Sequence, residues 1–514
     1  MWNMLLSKFA NYDMNKYFED IDSKGLKTTW IDICNYLRNV DFSHIPEFFN
    51  FDNIHEVYEI GLARVDKTSK KKMGQYYTPK DVAKLMSQWF LELNGENICD
   101  VACGTGRLIL EYLELLNYNE AKKMINDKKI YLYDLDETAM LICKTLISIK
   151  YGKESFANIN TTCGDFLNEK IKLPHNSKVI SNPPYAKIDT PLVSWKKTDI
   201  SLKSKELYAI FIEKIIEESN AAVIISPFSF LSSNKFYLLR EKMSLLGGGF
   251  VISFDNVPGT IFAGKKYGIF NSNKGNSVRA AITVFNKQET LGFKISPLIR
   301  FKTEQREEIL KDSVLRATLP KYRQIINKHN DKFKKIDSKL LDLYNCWVSK
   351  SKFNINDFVL SNESQLFLDI PKTCRYYTTA SSKKLNRANS FTLFFDNESV
   401  YDFCYCLINS SFAYWWWRIF EGAINLSSNT LKSIPLPINL LSLEDKKFFQ
   451  KIRKEMTDIE SHHIIKKNNC NMMQENIKFP DKYRNIINER ILNILGLEMK
   501  TDELIEIHNN YFKI

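Results

Sequence analysis

The sequence predicts an α/β chain built on a mainly parallel sheet with helices on its faces, and three observations carry that prediction. Between about residues 75 and 287, six short apolar runs alternate with segments of helical length: NICDVAC, KIYLYDLD, KVISNPPY, AAVIISPF, GFVISFD and RAAITVF. Each run closes on polar, glycine or proline residues, as strands do where they leave a buried sheet. The 514 residues allow about three folding units at roughly 150 residues each, enough to bury cores without disulfides or metals.

Composition excludes several classes. Lys and Arg number 72 against 60 Asp and Glu, giving +12, with 44% hydrophobic and 13% aromatic residues. Such a chain is globular, and its charge permits a polyanionic partner without requiring one. The ten cysteines are scattered, without the CxxC pairs or Cys/His clusters of a zinc site, so no metal is expected. They read as free thiols of a reducing compartment. The start, MWNMLLSKFANYD, holds too short an apolar run for a signal peptide, and AAVIISPF is too short to span a bilayer. A cytoplasmic protein without a membrane partner is expected.

In chain order, residues 1–73 read as a helical extension, with a period near 3.6 in TTWIDICNYLRNV and NIHEVYEIGLARV, broken by the charged stretch Lys67 to Lys72. Residues 74–287 hold the sheet. Residues 288–440 begin with a charged helical stretch through KYRQIINKHNDKF and continue as a region dense in aromatics, Ser/Thr and Lys/Arg, a mixed α+β part. Residues 441–514 read as amphipathic helices, in LEDKKFFQKIRKEMTDIESHHIIKK and DKYRNIINERILNILGL.

Ligands of parallel sheets bind at the carboxyl ends of strands, so the residues after each run deserve the closest reading. The first run exits through Asp100-Val-Ala102-Cys-Gly104-Thr-Gly106 into a helix. Two glycines let the backbone turn tightly and approach a ligand, while the helix start offers free N–H groups. A GxG turn alone serves NAD, another nucleotide or mere strand–helix packing. Ile109 replaces the third glycine of GxGxxG, and an Asp precedes the turn, which disfavours NAD. The second run ends at Asp134, where a carboxylate can accept from both hydroxyls of a ribose. Asp165 and Phe166 stand where a third strand should end, suited to an adenine amino group and ring face.

The sequence Ser181-Asn182-Pro183-Pro184-Tyr185 after the run KVI is far more specific. An exocyclic or amide nitrogen delocalises its lone pair into a π system. It becomes nucleophilic when acceptors draw its two N–H groups toward tetrahedral geometry. The Asn182 side-chain oxygen and the Pro183 carbonyl, held by two prolines of restricted φ, supply two such acceptors, and Tyr185 can stack on a planar substrate.

On these residues the chain resembles the S-adenosylmethionine-dependent DNA N6-adenine methyltransferases of the gamma arrangement, in which cofactor motifs precede the catalytic motif and target recognition follows it. The resemblance implies a Rossmann-like methyltransferase domain, S-adenosylmethionine as cofactor and double-stranded DNA as partner. It leaves room for a cognate restriction endonuclease or a specificity subunit. It implies that Tyr77, Thr78 and Pro79 match the first motif, with the Thr beside the methionine moiety. Asp100, Ala102, Gly104 and Gly106 match the methionine turn, Asp134 the ribose acid, Asp165 and Phe166 the adenine pair, and Asn182, Pro183, Pro184 and Tyr185 the catalytic tetrapeptide. Leu207 and Tyr208 resemble a wall of the cofactor pocket. Phe262 is matched to the second aromatic face of a flipped-out base, with Tyr267 or Phe270 as substitutes. The implied reaction is direct in-line transfer to a base taken out of the duplex, with no metal and no covalent intermediate.

Further on, Lys372, Arg375, Lys383, Lys384 and Arg387 interleave with tyrosines and hydroxyls, the mixture used for phosphate and base-edge contacts. Trp415 to Trp417 read as core, and His462-His463 and Cys404-x-Cys406 as structural. Three alternatives stay open: methylation of protein glutamine, methylation of RNA, and a non-catalytic DNA-recognition subunit. The span before the cofactor turn and the long region after the catalytic domain weigh against the glutamine enzyme. The intact set from Asp100 to Tyr185 weighs against a silent subunit. No carboxylate–lysine nuclease pattern stands in the first 70 residues, so methylation without cleavage is expected of this chain.

Overall fold

A computed structural model of the protein describes His55 and residues 78–188, 198–262, 278–328, 331–422, 425–469, 472–498 and 501–509. Apart from His55, the expected N-terminal helical extension lies outside the described residues, as do the Lys67 to Lys72 stretch, Tyr77, Tyr267 and Phe270.

Eight strands form the central sheet: β1 (Asn97–Asp100), β2 (Ile130–Asp134), β3 (Asn160–Cys163), β4 (Ser177–Ser181), β5 (Ala221–Pro227), β6 (Gly248–Phe254), β7 (Ala280–Asn286) and β8 (Phe293–Ile299). Their order is β3-β2-β1-β4-β5-β7-β6-β8, and only β7 runs against its neighbours. The carboxyl ends of the other seven strands therefore share one edge. Strands β4 and β5 are buried nearly throughout, because helices cover both faces of a parallel sheet. Helix Lys80–Leu91 and helix Arg107–Leu115 pack one face through Leu85, Trp89, Phe90 and Tyr112. Helix Leu207–Glu218 packs the other through Tyr208, Phe211 and Ile215.

The apolar rhythm predicts no strand past residue 287, yet β8 extends the sheet by pairing parallel to β6. The described residues of the stretch KYRQIINKHNDKF do not form the expected helix. Gln324 instead bridges Phe293 of β8, exchanging backbone bonds of 2.8 and 2.9 Å, and its side chain bonds the backbone of Lys334 twice. An edge strand offering unpaired backbone groups outcompetes a weak helical period.

The region from 336 to 504 has its own core. Within the aromatic-dense stretch, β9 (Leu366–Pro371) pairs antiparallel with β10 (Ser390–Phe395), and two buried helices span Glu398–Ile408 and Ser411–Phe420. Trp415, Trp416 and Trp417 lie in that core, as do Cys404 and Cys406. Helix Leu443–Ile459 fits its amphipathic pattern, but IIKK does not prolong it. Residues Ile464–Asn469 pair with Met472–Ile477 as a hairpin. Among the described residues no helix is long and apolar enough to cross a membrane.

Candidate active site

The sheet's carboxyl edge collects the motifs. At the end of β1, Asp100 is fully buried, and its Oδ1 accepts from Ala102 N at 3.3 Å while Oδ2 has no partner among the described residues. Burial pushes its carboxyl up to about 8. Gly104 and Gly106 follow with φ of +49° and +89°, the left-handed region that favours glycine. The two serve different needs. A Cβ at Gly106 would run into Cys143 Sγ, whereas a Cβ at Gly104 would meet nothing within 4 Å, so this side of the turn is a cradle. Asp134, ending β2, closes the turn: Oδ2 accepts from Gly104 N at 2.7 Å and Oδ1 from Asp136 N at 2.9 Å. Burial raises its carboxyl too.

These groups fit S-adenosylmethionine. The orphaned Asp100 oxygen suits the methionine ammonium, the open side of Gly104 admits the chain, and Asp134 Oδ1 and Oδ2 each carry a second lone pair for a ribose hydroxyl. Half-buried Asp165 orders the loop after β3 by accepting from Leu167 N at 3.0 Å. Phe166 stands apart from the expected ring-face role. It is 2% exposed and packs edge-on to Tyr133 at 5.6 Å and tilted on Phe211 at 5.6 Å, inside the core. The loop is clamped by Lys214, whose ammonium donates to the carbonyls of Phe166, Asn168 and Ile171. No local pattern marks that lysine.

The Asn182–Tyr185 tetrapeptide leaves β4, with Pro183 buried and Asn182, Pro184 and Tyr185 half-buried. Asn182 Nδ2 donates to Thr78 Oγ1 at 2.9 Å, and Asn182 Oδ1 accepts from the Tyr185 hydroxyl at 2.7 Å. The same hydroxyl lies 3.2 Å from Ile225 O on β5. The amide thus presents its oxygen on the Tyr185 side. Pro79 precedes helix Lys80–Leu91 as its N-cap residue. Tyr208, buried, meets Tyr185 edge-on at 6.2 Å and bonds Ser229 through its hydroxyl at 2.9 Å.

Phe262, 8% exposed, meets the Tyr185 ring at 6.1 Å with planes at 68°. A base stacked between two rings needs about 7 Å between parallel planes. In this arrangement the rings touch each other edge to face, and bracketing a base requires one of them to turn. His55, which the sequence reading leaves unassigned, is buried with Nδ1 2.9 Å from Thr105 Oγ1 in the cofactor turn. Burial, then the charge of Arg107, holds its imidazole well below the usual histidine range, so it is neutral.

Of the five basic residues expected on DNA, four are exposed: Lys372, Arg375, Lys383 and Lys384. Arg387 is turned inward, its side chain 3% exposed, 3.6 Å from Asp369 and donating to Glu475 O at 3.0 Å. The Asp369 carboxylate on β9 and the Glu475 carbonyl of the hairpin hold it there, so it is unavailable to a phosphate. The segment abuts the sheet's carboxyl edge. Arg300, following β8, donates to Arg375 O at 3.0 Å and lies 5.2 Å from the centroid of the Tyr376 ring. Beneath it, Asp255 at the end of β6 is 1% exposed and meets three guanidiniums: Arg279 at 2.9 Å, Arg300 at 2.8 Å and Arg418 of helix Ser411–Phe420 at 2.8 Å. Burial opposes the charge, but the three arginines hold its carboxyl below the usual range. Among the described residues no three His, Cys, Asp or Glu are placed to hold a metal.

Over 159 residues, 29% of this chain and 27% of the relative, the chain is 30% identical to the type I restriction enzyme MjaIX methylase subunit of Methanocaldococcus jannaschii. It is 26% identical to the type I restriction enzyme EcoEI methylase subunit of Escherichia coli over 203 residues, 38% of this chain and 40% of the relative. It is 24% identical to the type II methyltransferase M.PstI of Providencia stuartii over 208 residues, 37% and 40%. The chain thus spans between 27% and 40% of the length of these curated relatives. The family model described as N-6 DNA Methylase matches residues 50–364, which take in the whole sheet and every motif at its carboxyl edge. The chain belongs to the N-6 DNA Methylase family.

Proposed function

We propose that the protein transfers a methyl group from S-adenosylmethionine to the N6 amino group of an adenine flipped out of double-stranded DNA, as a modification enzyme of the restriction–modification type. The observation that carries this reading is the Asn182 amide, anchored through its nitrogen on Thr78 and offering its oxygen beside Tyr185, next to the strand ends that bear Asp100 and Asp134. When bound, S-adenosylmethionine supplies an electrophilic methyl on a sulfonium.

The chain's residues do the rest. Asp100 and Asp134 orient the donor, and the Gly104 cradle admits it. Asn182 Oδ1 accepts one N6–H, beside or in exchange for the Tyr185 hydroxyl, and the Pro183 carbonyl accepts the other, which raises electron density on nitrogen. Tyr185 and Phe262 stack on the base, each face contributing about 1–3 kcal/mol against an unstacking cost of a few kcal/mol. Lys372, Arg375, Lys383 and Lys384 meet phosphates on the same side of the sheet. DNA is the partner, with room for a separate nuclease or specificity subunit.

The test uses purified protein, methyl-labelled S-adenosylmethionine and unmethylated genomic DNA. Label is expected as N6-methyladenine with the wild type and not with Asn182→Ala. Label confined to RNA or protein, or absent while DNA is bound, overturns the reading. Magnesium-dependent cutting by the purified chain would overturn methylation without cleavage.

A further inference from the structure

Arg306, at the start of helix Arg306–Ile309, is 9% exposed and spends four N–H groups on two targets. It forks onto Asp81, Nε at 2.6 Å and Nη2 at 2.9 Å, and it donates to the backbone carbonyls of Thr260 and Ile261, both at 2.7 Å. Asp81 sits three residues after Thr78, in the first turn of helix Lys80–Leu91. Thr260 and Ile261 immediately precede Phe262. The contacts form a closed circuit: Phe262 to Tyr185, Tyr185 to Asn182, Asn182 to Thr78, the short run to Asp81, Asp81 to Arg306, and Arg306 back to the residues before Phe262.

We propose that Arg306 is a positioning residue that ties the Phe262 face of the base pocket to the Thr78–Asn182 side of the catalytic loop. This rests on the adenine-methyltransferase reading above. A planar, always charged fork with five donors can hold a carboxylate and two carbonyls at once; a lysine ammonium reaches the carboxylate but cannot span both targets in plane. Phe262 must turn to accept a base, and a segment whose preceding carbonyls are pinned can turn its ring without the backbone drifting. Precise placement of a stacking face affects capture of the extruded base, whereas the cofactor cradle lies on other strand ends.

The 306–316 segment also straps the same helix elsewhere. Asp312 accepts from Trp89 Nε1 at 2.5 Å, and Arg316 reaches Glu92 at 2.6 Å. What separates Arg306 from those straps is its grip on the carbonyls before Phe262. Arg316→Ala is therefore the control, a strap contact remote from the pocket.

The experiment measures methyl transfer to unmethylated genomic DNA, varying DNA and S-adenosylmethionine separately, for wild type, Arg306→Lys, Asp81→Ala and Arg316→Ala, with thermal unfolding and calorimetric cofactor binding alongside. Arg306→Lys is expected to lower kcat/KM for DNA about 10-fold, while cofactor Kd changes by less than about twofold and the melting temperature stays near that of Arg316→Ala. Asp81→Ala should fall between, because the carbonyl grip survives. Hydrogen exchange should quicken in the peptide spanning Gly259 to Phe262 in Arg306→Lys and not in Arg316→Ala. Equal kinetic losses in Arg306→Lys and Arg316→Ala, or an unchanged kcat/KM for DNA in Arg306→Lys, overturn the proposal while leaving the methyltransferase reading intact. A wild type that labels no DNA overturns both.

Discussion

Asn182 donates from Nδ2 to the hydroxyl oxygen of Thr78 at 2.9 Å, across 104 residues of chain. That bond settles which way the Asn182 amide faces. With its nitrogen occupied by Thr78, the amide turns its oxygen to Tyr185 and to the side where an acceptor for an amino group is wanted. Thr78 thus orients the Asn182 amide.

Thr78→Val keeps the shape and removes the acceptor, so the Asn182 amide loses its preferred orientation. We expect kcat to fall about 10-fold to 100-fold with little change in cofactor affinity. Thr78→Ser should retain most of the rate. Steady-state transfer with calorimetric cofactor binding separates the two; equal rates for valine and serine would remove Thr78 from this role.

On the proposed reading, cofactor binding is expected to depend on pH through Asp100. Burial pushes its carboxyl up to about 8, so between an unfolded value of about 4 and that folded value the native state holds a proton that the unfolded chain has released. The ligand-free protein should therefore lose stability as pH rises from 5 to 8, and Asp100→Asn should remove part of that slope. A bound ammonium favours the carboxylate, so S-adenosylmethionine binding near pH 7 should release up to about one proton. Calorimetry in buffers of different ionisation enthalpy reads this directly, and a buffer-independent binding enthalpy would count against it.

Asp255 joins the end of β6 to Arg279, Arg300 and Arg418, the last on a helix of the region after the sheet. Asp255→Ala would strand three buried guanidiniums. The expected loss is about 3–5 kcal/mol in urea unfolding. The carboxyl is held below its usual range, so its contribution is present above the unfolded value of about 4 and fades as pH falls through the lower folded value. An unaltered unfolding midpoint in the alanine variant would show the cluster to be neutral.

Lys383 and Lys384 are exposed, while Arg387, three residues on, is buried against Asp369. Lys383→Gln with Lys384→Gln should weaken DNA binding, reduce the slope of log affinity against log salt by about two, and leave the melting temperature unchanged. Arg387→Ala should do the reverse, lowering the melting temperature with little effect on the salt slope. Fluorescence titration at several salt concentrations distinguishes them.

The gathering of the motifs was legible because each follows a strand. Asp100 with its glycines, Asp134 and the Asn182 tetrapeptide leave apolar runs, Asp165 follows the polar strand β3, and a parallel sheet brings these strand ends to one edge. The same locality explains the failures. Phe166 and Arg387 carry the right chemistry in the right stretch, yet exposure depends on what packs from elsewhere: Tyr133 and Phe211 on one, Asp369 and the 464–477 hairpin on the other. The helical period of KYRQIINKHNDKF is likewise real but weak, and the free edge of β8 overrode it.

The sequence by itself determined the sheet's main strands, the order of chemistry along its carboxyl edge and the activated-amine motif, because apolar period, turn residues and a rigid proline pair act over a few residues. Only the tertiary structure decided the pairings of Thr78 with Asn182, Arg306 with Asp81 and the carbonyls before Phe262, and Asp255 with three arginines. Those partners lie 104, 225 and up to 163 residues apart, and no local period encodes a contact that forms only when the sheet closes and the helices dock on it.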